Sequence, residues 1–320
     1  MKIFVAGGTG VLGRASLKAL VEAGHQVRST ARTEEKADLV RSLGAEPVQA
    51  DLYDPKEVRQ AVAGSEAILR LTTKIPPIAK MRSREAWQET NLLRTEGARI
   101  LVDAGIAEGV QVYVHESVTF VYVDAGTQWI DEDHPTDNGE SEILRSALDG
   151  EKEAARFSES GGRGIILRFG GFYGIESNQT TDMVSMMRRR LMVQPGPGSH
   201  YVSSIYIPDA GRAVLASLNV PAGIYNVVDE NPVSFKNYLQ TLADAVQVPK
   251  PFRFPGALGK ATFGDVWSYL SRSQRVSNAR FKKASGWKPN VASVAEGWPL
   301  VAAALKPAAR AKPQQPESRV

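Results

Sequence analysis

The chain has 320 residues, no cysteine and four histidines without ligand spacing, which excludes disulfides and thiolate sites and gives no reason to expect a metal. Its formal net charge is +4, but residues 306–320 hold four basic residues against one acidic residue, so the remainder is too weakly basic for a nucleic-acid surface. Because no run of about 18 apolar residues and no leader pattern occurs, we expect a cytoplasmic protein without a membrane partner.

The first predicted strand runs directly into a glycine-rich turn. The apolar segment Ile3–Ala6 is followed by glycines at positions 7, 10 and 13, and residues 11–23 then have helical spacing. Glycine permits the tight turn and lets the backbone approach phosphates, while the free N–H groups at the start of the helix favour an anion. An ordinary glycine-rich turn is the alternative, but it would not need this strand and helix. We therefore predict a site for the pyrophosphate of a dinucleotide, formed by Gly7, Thr9, Gly10, Val11, Leu12 and Gly13.

Strands and helices alternate as far as residue 169. Apolar runs predict further strands at 26–30, 46–49, 67–71, 110–115 and 164–169. Helical spacing predicts helices at 34–42, 56–63, 83–104 and 140–160. Strands joined through helices pair in parallel with right-handed crossovers, so we expect an α/β fold with a Rossmann-type doubly wound parallel sheet. A ligand then lies beyond the carboxyl ends of the strands, near the point where the strand order reverses.

The residues after the second strand bear on the choice of nicotinamide cofactor. An acidic residue there usually binds the ribose 2′-hydroxyl of NAD, whereas this chain has Arg32 and, four residues later, Lys36. A guanidinium forms a forked, charge-assisted pair with a phosphate, and the lysine adds a second positive charge. We therefore predict NADP(H) as the cofactor, the alternative being that Arg32 is an ordinary surface arginine.

The regular alternation weakens after residue 170. Shorter predicted elements follow at 181–191, 204–207, 209–218, 224–228 and 234–245, separated by segments that contain proline. We predict an NADP-binding Rossmann domain at 1–170 and a smaller C-terminal substrate lobe at 171–305, interleaved with the last elements of the sheet. Residues 306–320, rich in proline, alanine, glutamine and charge, are expected to be a disordered tail.

Several further segments match the pattern of one known family. Besides the glycine turn, they are the stretches at 50–52, 112–117, 130–135, 167–174, 206–213, 224–232 and 286–289. Through these segments the chain resembles the extended and atypical short-chain dehydrogenase/reductases of the NAD-dependent epimerase/dehydratase family. The resemblance covers about residues 1–300, and together the motifs are specific for the family but not for a substrate.

The resemblance also implies positions for further cofactor contacts. Asp51 and Leu52 would lie beside the adenine, and Thr72 and Thr73 along the pyrophosphate and the nicotinamide ribose. Asp51 could equally cap the next helix. The family further suggests a homodimer through the helices at 83–104 and 140–160, so we expect a monomer or a homodimer.

The chain departs from this family at its catalytic motif. These enzymes use a Ser or Thr after the fifth strand and a Tyr-x-x-x-Lys on the next helix, where the lysine and the nicotinamide ribose lower the pKa of the tyrosine. Ser117 occupies the serine position, but no tyrosine lies between Tyr122 and Tyr173, and Lys152 is the only lysine in that interval. The usual proton-transfer pair is therefore missing.

The helix at 140–160 offers two ways to align the motif. Counting back from Glu151 or from Glu153 places Ile143 or Arg145 at the tyrosine position. Neither residue replaces a tyrosine, yet a hydride transferred to a carbonyl needs a proton for the developing oxyanion.

Three replacements for the missing proton donor are open. Tyr173, just after the sixth strand, could reach the pocket from the opposite side, although it could also line the substrate site or pack. Tyr122 follows Ser117 on the same loop and could turn inward. Alternatively, a group of the substrate or a water held by Ser117 carries the proton, unless Ser117 merely caps the strand.

Three functions are compatible with these features. The first is an NADP(H)-dependent oxidoreductase that acts on a small or medium organic substrate with a non-standard proton donor. The second is a non-catalytic NADP(H)-binding redox sensor or regulator, which the missing motif favours. The third is a nucleotide-sugar epimerase or dehydratase, in which arginines 188–190 would bind a diphosphate; it ranks last because such enzymes also rely on the absent tyrosine. We expect a small-molecule substrate as the partner.

Overall fold

The computed structural model describes residues 1–77, 80–137, 141–256, 267 and 270–305. Its strands are β1 Lys2–Ala6, β2 Gln26–Thr30, β3 Glu46–Val48, β4 Ala67–Arg70, β5 Val112–Val118, β6 Trp129–Ile130, β7 Arg163–Phe169, β8 Gly171–Tyr173, β9 Val193–Pro195, β10 Tyr201–Val202, β11 Ser204–Tyr206, β12 Gly223–Val227, β13 Val233–Ser234, β14 Phe252–Phe254 and β15 Arg275–Val276. Its helices are α1 Val11–Glu22, α2 Glu34–Ser42, α3 Pro55–Val62, α4 Gln88–Arg94, α5 Glu96–Ala107, α6 Glu142–Glu159, α7 Asn178–Arg188, α8 Ile207–Ser217, α9 Phe235–Ala245, α10 Ala279–Ser285 and α11 Val294–Ala304. Short 3-10 helices lie at Glu85–Trp87 and Thr119–Val121.

Seven of the strands form one parallel sheet at the centre of the fold. Their order is β12-β7-β5-β4-β1-β2-β3, and every neighbouring pair is parallel. The chain moves from β1 outward to β3 and then returns to β4 on the other side of β1, so the strand order reverses between β1 and β4. The α/β class and the doubly wound parallel sheet predicted from the sequence are confirmed.

Helices cover both faces of this sheet. On one face α1, α2 and α8 bury apolar side chains against the strands, and on the other face α3, α5 and α6 do the same. The central strands therefore appear in the sequence as continuous hydrophobic runs. Helices α1 and α8 approach each other closely at Gly211, where a Cβ would lie 2.5 Å from the carbonyl carbon of Ala15.

The single helix predicted at 83–104 is wrong. The structure has a 3-10 helix at Glu85–Trp87 followed by α4 and α5, and the break falls at Thr95. There ψ is −79°, and the Thr95 hydroxyl donates to the carbonyl oxygen of Asn91 at 2.9 Å. A threonine hydroxyl that bonds back to the carbonyl four residues earlier often bends a helix, and the predicted single helix is divided into α4 and α5 at this residue.

The second half of the chain both completes the sheet and builds another core. Strand β12 pairs with β7 at the sheet edge. A separate cluster joins α7, α9 and α11, with Tyr173, Leu242 and Trp298 fully buried within it. The predicted tail at 306–320 lies outside the described residues. No helix in the described part of the chain has the length and apolar character needed to span a membrane.

Candidate functional site

The turn after β1 requires its glycines. Gly7 has a φ of +97°, and a Cβ there would lie 2.6 Å from the carbonyl oxygen of Leu71. A Cβ on Gly13 would lie 2.1 Å from the carbonyl oxygen of Gly7, so α1 could no longer pack against the turn. Gly10 is the N-cap of α1 and no side chain caps this end, which leaves the N–H groups of the first turn for a ligand. That first turn holds the predicted residues Val11, Leu12 and Gly13.

A cleft of about 290 Å³ opens beside this turn, where the strand order reverses. Nine of the twelve residues predicted to bind the cofactor line it: Gly7, Thr9, Gly10, Arg32, Lys36, Asp51, Leu52, Thr72 and Thr73. Tyr53, Lys74 and Glu89 also line the cleft but were not predicted from the sequence. Tyr53 and Lys74 directly follow predicted residues, whereas Glu89 lies later in the chain, on α4.

Charged side chains of both signs meet in the cleft. Arg32 and Lys36 line it after β2, as the predicted phosphate site requires. The Nη1 atom of Arg32 lies 3.8 Å from Oε1 of Glu89, and Lys74 also pairs with Glu89. Arg32 and Lys74 are each about two-thirds exposed, so these ion pairs contribute little to stability. Both cations are therefore free to exchange the carboxylate for an anionic ligand.

One buried polar atom of the cleft has no partner in the part of the chain that the structure describes. The Oγ1 atom of Thr72 is buried and makes no hydrogen bond with these residues. Buried polar atoms are nearly always satisfied, so this hydroxyl indicates a ligand that completes its hydrogen bonding. The glycine turn, the uncapped start of α1 and the two cations Arg32 and Lys36 suit a dinucleotide that carries an additional phosphate.

Asp51 does not cap the helix that follows it. The N-cap of α3 is Asp54, whose carboxylate accepts hydrogen bonds from the N–H groups of Lys56 and Glu57. Asp51 Oδ1 instead accepts from the N–H of Tyr53 at 3.0 Å, and the residue lines the cleft. The helix-cap alternative is therefore wrong, and Asp51 stays a candidate for the adenine end of the site.

Ser117 is hydrogen-bonded to a buried ion pair. Its hydroxyl donates to Oε1 of Glu151 at 2.5 Å. Arg168 donates to both oxygens of the same carboxylate, from Nε to Oε1 at 2.9 Å and from Nη2 to Oε2 at 2.6 Å. Ser117 and Arg168 are opposite each other on the neighbouring strands β5 and β7, and all three side chains are buried. The Ser117 hydroxyl is thus directed towards α6, and Ser117 does not line the cleft.

Glu151, rather than Glu153, faces the end of β5. Glu153 pairs instead with Arg156 at 2.7 Å, nearer the surface. Counting back from Glu151 places Ile143 at the tyrosine position of the family motif and Ala147 at the lysine position. Both are apolar, so these two positions supply no group that exchanges a proton.

The structure does not bring the candidate tyrosines Tyr122 and Tyr173 to the cleft. Tyr122 donates to Oδ1 of Asn226 at 2.7 Å, the Arg168 guanidinium lies 4.8 Å from its ring centre, and burial raises its pKa to about 12. Tyr173 donates to Oδ2 of Asp229 at 3.1 Å, and burial raises its pKa as well. Both side chains are fully buried. Their hydroxyls are bonded to Asn226 and Asp229, neither of which lines the cleft, so neither tyrosine is placed to protonate a ligand there.

Glu116, which sequence analysis missed, lies directly before Ser117. Successive side chains of a strand alternate, so Glu116 points to the face opposite Ser117. Its Oε2 atom accepts a hydrogen bond from Oγ1 of Thr73 at 2.9 Å, and Thr73 lines the cleft. The residue is only 6% exposed, and burial raises the pKa of its carboxyl group. A charged residue inside a strand buried on both faces was the signal in the sequence.

The region that forms the cleft matches a known family. Residues 7–189 match a family model described as NAD(P)H-binding. This stretch is more than half of the chain and contains the glycine turn, every residue of the cleft and the Ser117–Glu151–Arg168 group. The chain belongs to the NAD(P)H-binding family of short-chain dehydrogenase/reductase-like proteins. The family predicted from the motifs is thereby confirmed, and NAD(P)H binding is a property of the region that forms the cleft.

The similarity of this short-chain dehydrogenase/reductase-like protein to named relatives extends over nearly the whole chain. A 3-diazoavenalumate denitrifying reductase from a Streptomyces species is 30% identical over 314 residues, covering 93% of this chain and 99% of that protein. The ceramide reductase of Caulobacter vibrioides is 24% identical and covers 93% of this chain and 89% of that protein. The crystal structure of human epimerase family protein SDR39U1 (isoform 2) with NADPH shares the fold, with a TM-score of 0.79 at 22% identity over 95% of this chain and 100% of that chain.

Proposed function

We propose that this protein is an NADP(H)-dependent reductase of a small or medium organic substrate. The observation that carries the proposal is the cleft at the reversal of strand order, in which the glycine turn is combined with the cations Arg32 and Lys36. The Streptomyces and Caulobacter relatives are both reductases by name, which favours reduction over epimerisation.

Each part of the cleft has a distinct role towards the cofactor. The free N–H groups at the start of α1 bind the pyrophosphate, and the glycines let the backbone approach it. Arg32 exchanges Glu89 for the 2′-phosphate, and Lys36 adds a second positive charge. The Thr72 hydroxyl gains from the cofactor a hydrogen-bond partner, which the described residues do not provide. When bound, the dihydronicotinamide supplies the hydride of the reduction.

An apolar cluster indicates the character of the substrate. Trp87 and Leu144 form its buried centre, with Met81, Phe120, Ile143 and Leu270 packed around them. The cluster joins the segments after β4 and β5 to the start of α6, which is the end of the helix where the family carries its tyrosine. We infer that a substrate which binds beside this cluster is aromatic or aliphatic rather than a nucleotide sugar. Arg188, which the epimerase alternative assigned to a diphosphate, donates instead to the carbonyl oxygen of Leu305 at 3.0 Å.

A second function, that of a non-catalytic NADP(H) sensor, is favoured by one observation. Ser117 is fixed to Glu151, and the hydroxyls of Tyr122 and Tyr173 are bound inside the protein, so the predicted catalytic residues are not free to act. A sensor would need the cleft but no proton donor. Turnover separates the two functions.

The test is a reductase assay on the full chain. Oxidation of NADPH is followed with aromatic aldehydes, aliphatic ketones, enones, imines and a nucleotide sugar as separate substrates. We expect turnover with at least one apolar class and none with the nucleotide sugar. NADPH binding without turnover of any class would contradict the reductase and support the sensor.

A further inference from the structure

Two buried carboxyl groups lie near the end of β5, and they differ in their partners. Glu151 forms a two-point ion pair with Arg168 and accepts a hydrogen bond from Ser117, so both of its carboxylate oxygens have partners. Among the described residues Glu116 has no such ion pair: the nearby Arg70 guanidinium donates to the backbone oxygens of Glu116 and Thr72, at 3.1 and 2.7 Å, rather than to the carboxylate. Burying a carboxyl group without a cation on it is costly unless the group holds a proton.

The position of Glu116 connects it to the cofactor cleft. Val112 and Val114, which precede it at alternate positions of β5, pack in the core on the α1 side of the sheet. Glu116 continues this alternation at the carboxyl end of the strand, beyond which ligands lie in this fold. Its carboxylate accepts a hydrogen bond from the hydroxyl of Thr73, which lines the cleft.

We propose that Glu116 is a catalytic residue, the proton donor that replaces the missing tyrosine. The proposal rests on the reductase function proposed above. The substrate carbon gains a hydride from the dihydronicotinamide, which is oxidised, and the π electrons of the reduced double bond move to the substrate heteroatom. That atom takes the carboxyl proton of Glu116, and the carboxylate then regains a proton from solvent. Thr73 holds the carboxyl group in place through its hydrogen bond.

The surroundings of Glu116 determine in which direction kcat/KM changes with pH. Burial raises the pKa of Glu116, while Arg70 on β4, the Thr73 hydroxyl and Arg94 on α4 oppose that rise. His115 on the same strand is buried with its pKa far below the usual value, so it stays neutral. The donor form is the protonated one, so kcat/KM falls as the pH rises through the pKa of Glu116.

The test compares Glu116→Gln, which keeps the shape but carries no acidic proton, with Glu108→Gln as the control. Glu108 pairs with Arg59 at 2.7 Å, well outside the cleft. We expect kcat to fall by about 100-fold or more in Glu116→Gln, as for loss of a general acid. NADPH affinity should change less than about threefold, and the alkaline fall of kcat/KM should disappear. The control should match the wild type.

Two further measurements keep the proposal falsifiable. Carbon-13 NMR of labelled glutamate carboxyls in the NADPH complex should show raised pKa values for Glu132 and for Glu116, and only the second should be absent from Glu116→Gln. If Glu116→Gln does not fold, Thr73→Val should shift the same titration upward, because it removes a hydrogen bond that lowers this pKa. If Glu116→Gln retained wild-type turnover, or if the pKa of the Glu116 carboxyl were ordinary, the role of Glu116 as proton donor would be refuted while the reductase function would stand. A wild type without turnover would refute the reductase function and this role together.

Discussion

The glycine turn lies at the same edge of the sheet as Ser117, Glu151 and Arg168, which we call the Ser117 group. The two regions differ in whether their polar groups have hydrogen-bond partners within the protein. At the turn, no described side chain caps the start of α1, and none provides a hydrogen-bond partner for Thr72 Oγ1. In the Ser117 group, Glu151 binds both the Ser117 hydroxyl and the Arg168 guanidinium. Polar groups without internal partners indicate a ligand, whereas a mutually satisfied group acts as a rigid part of the core.

This difference separates cofactor binding from chemistry. The cleft has the features that bind a dinucleotide, while the positions that the sequence predicts for the family's catalytic residues hold an ion pair and apolar residues. In the proposed reductase the proton donor is therefore another residue at the same edge, Glu116, a buried carboxyl group that is hydrogen-bonded to Thr73 of the cleft.

The largest expected effect is at the glycine turn. Gly13→Ala places a Cβ 2.1 Å from the carbonyl oxygen of Gly7, so α1 must move away from the turn. We expect NADPH affinity, measured by calorimetry, to fall at least about 100-fold. Gly97→Ala on α5 is the matched control, because its Cβ would make only ordinary contacts at 3.8 and 3.9 Å. Binding in Gly13→Ala that equals the control would contradict the role of the turn.

The second effect is on stability and concerns the Ser117 group. Glu151→Ala leaves the buried Arg168 without its carboxylate, and we expect a loss of about 3–5 kcal/mol in the free energy of unfolding. Glu153→Ala removes the more exposed pair with Arg156 on the same helix and should cost less than about 1 kcal/mol. Urea denaturation measures both. Equal losses in the two variants would show that the Ser117 group is not a rigid part of the core.

The features that could be predicted from the sequence are local ones. The glycine turn depends on backbone geometry within a few residues, so its spacing sufficed to indicate both the strand–helix unit and the ligand. Arg32 was identifiable because it directly follows a strand. The N-cap at Asp54 was missed because Asp51 and Asp54 both precede the helix and both have side chains that can cap it. Which of them does so depends on the exact residue at which the helix begins.

The catalytic region depends on distant parts of the chain, which explains why its prediction was incomplete. Glu151 and Glu153 are two residues apart, and only Ser117, 34 residues before Glu151, shows which of them faces the sheet. The environment of Glu116 is set by Thr73, which lies 43 residues earlier. Burial of the Tyr122 hydroxyl depends on Asn226, 104 residues later. Contacts between residues so far apart in the chain leave no periodic pattern in the sequence.

The most direct test of the account is calorimetric titration of the wild type and of Arg32→Ala with NADPH and with NADH. We expect the wild type to bind NADPH more tightly, and Arg32→Ala to lose about 10- to 100-fold in NADPH affinity, as for a charge-assisted hydrogen bond. NADH affinity should change less than about threefold, and Arg41→Ala, which breaks exposed pairs on α2 outside the cleft, should match the wild type. Equal wild-type affinities for the two cofactors, or an unchanged preference in Arg32→Ala, would contradict the assignment of this cleft to NADP(H).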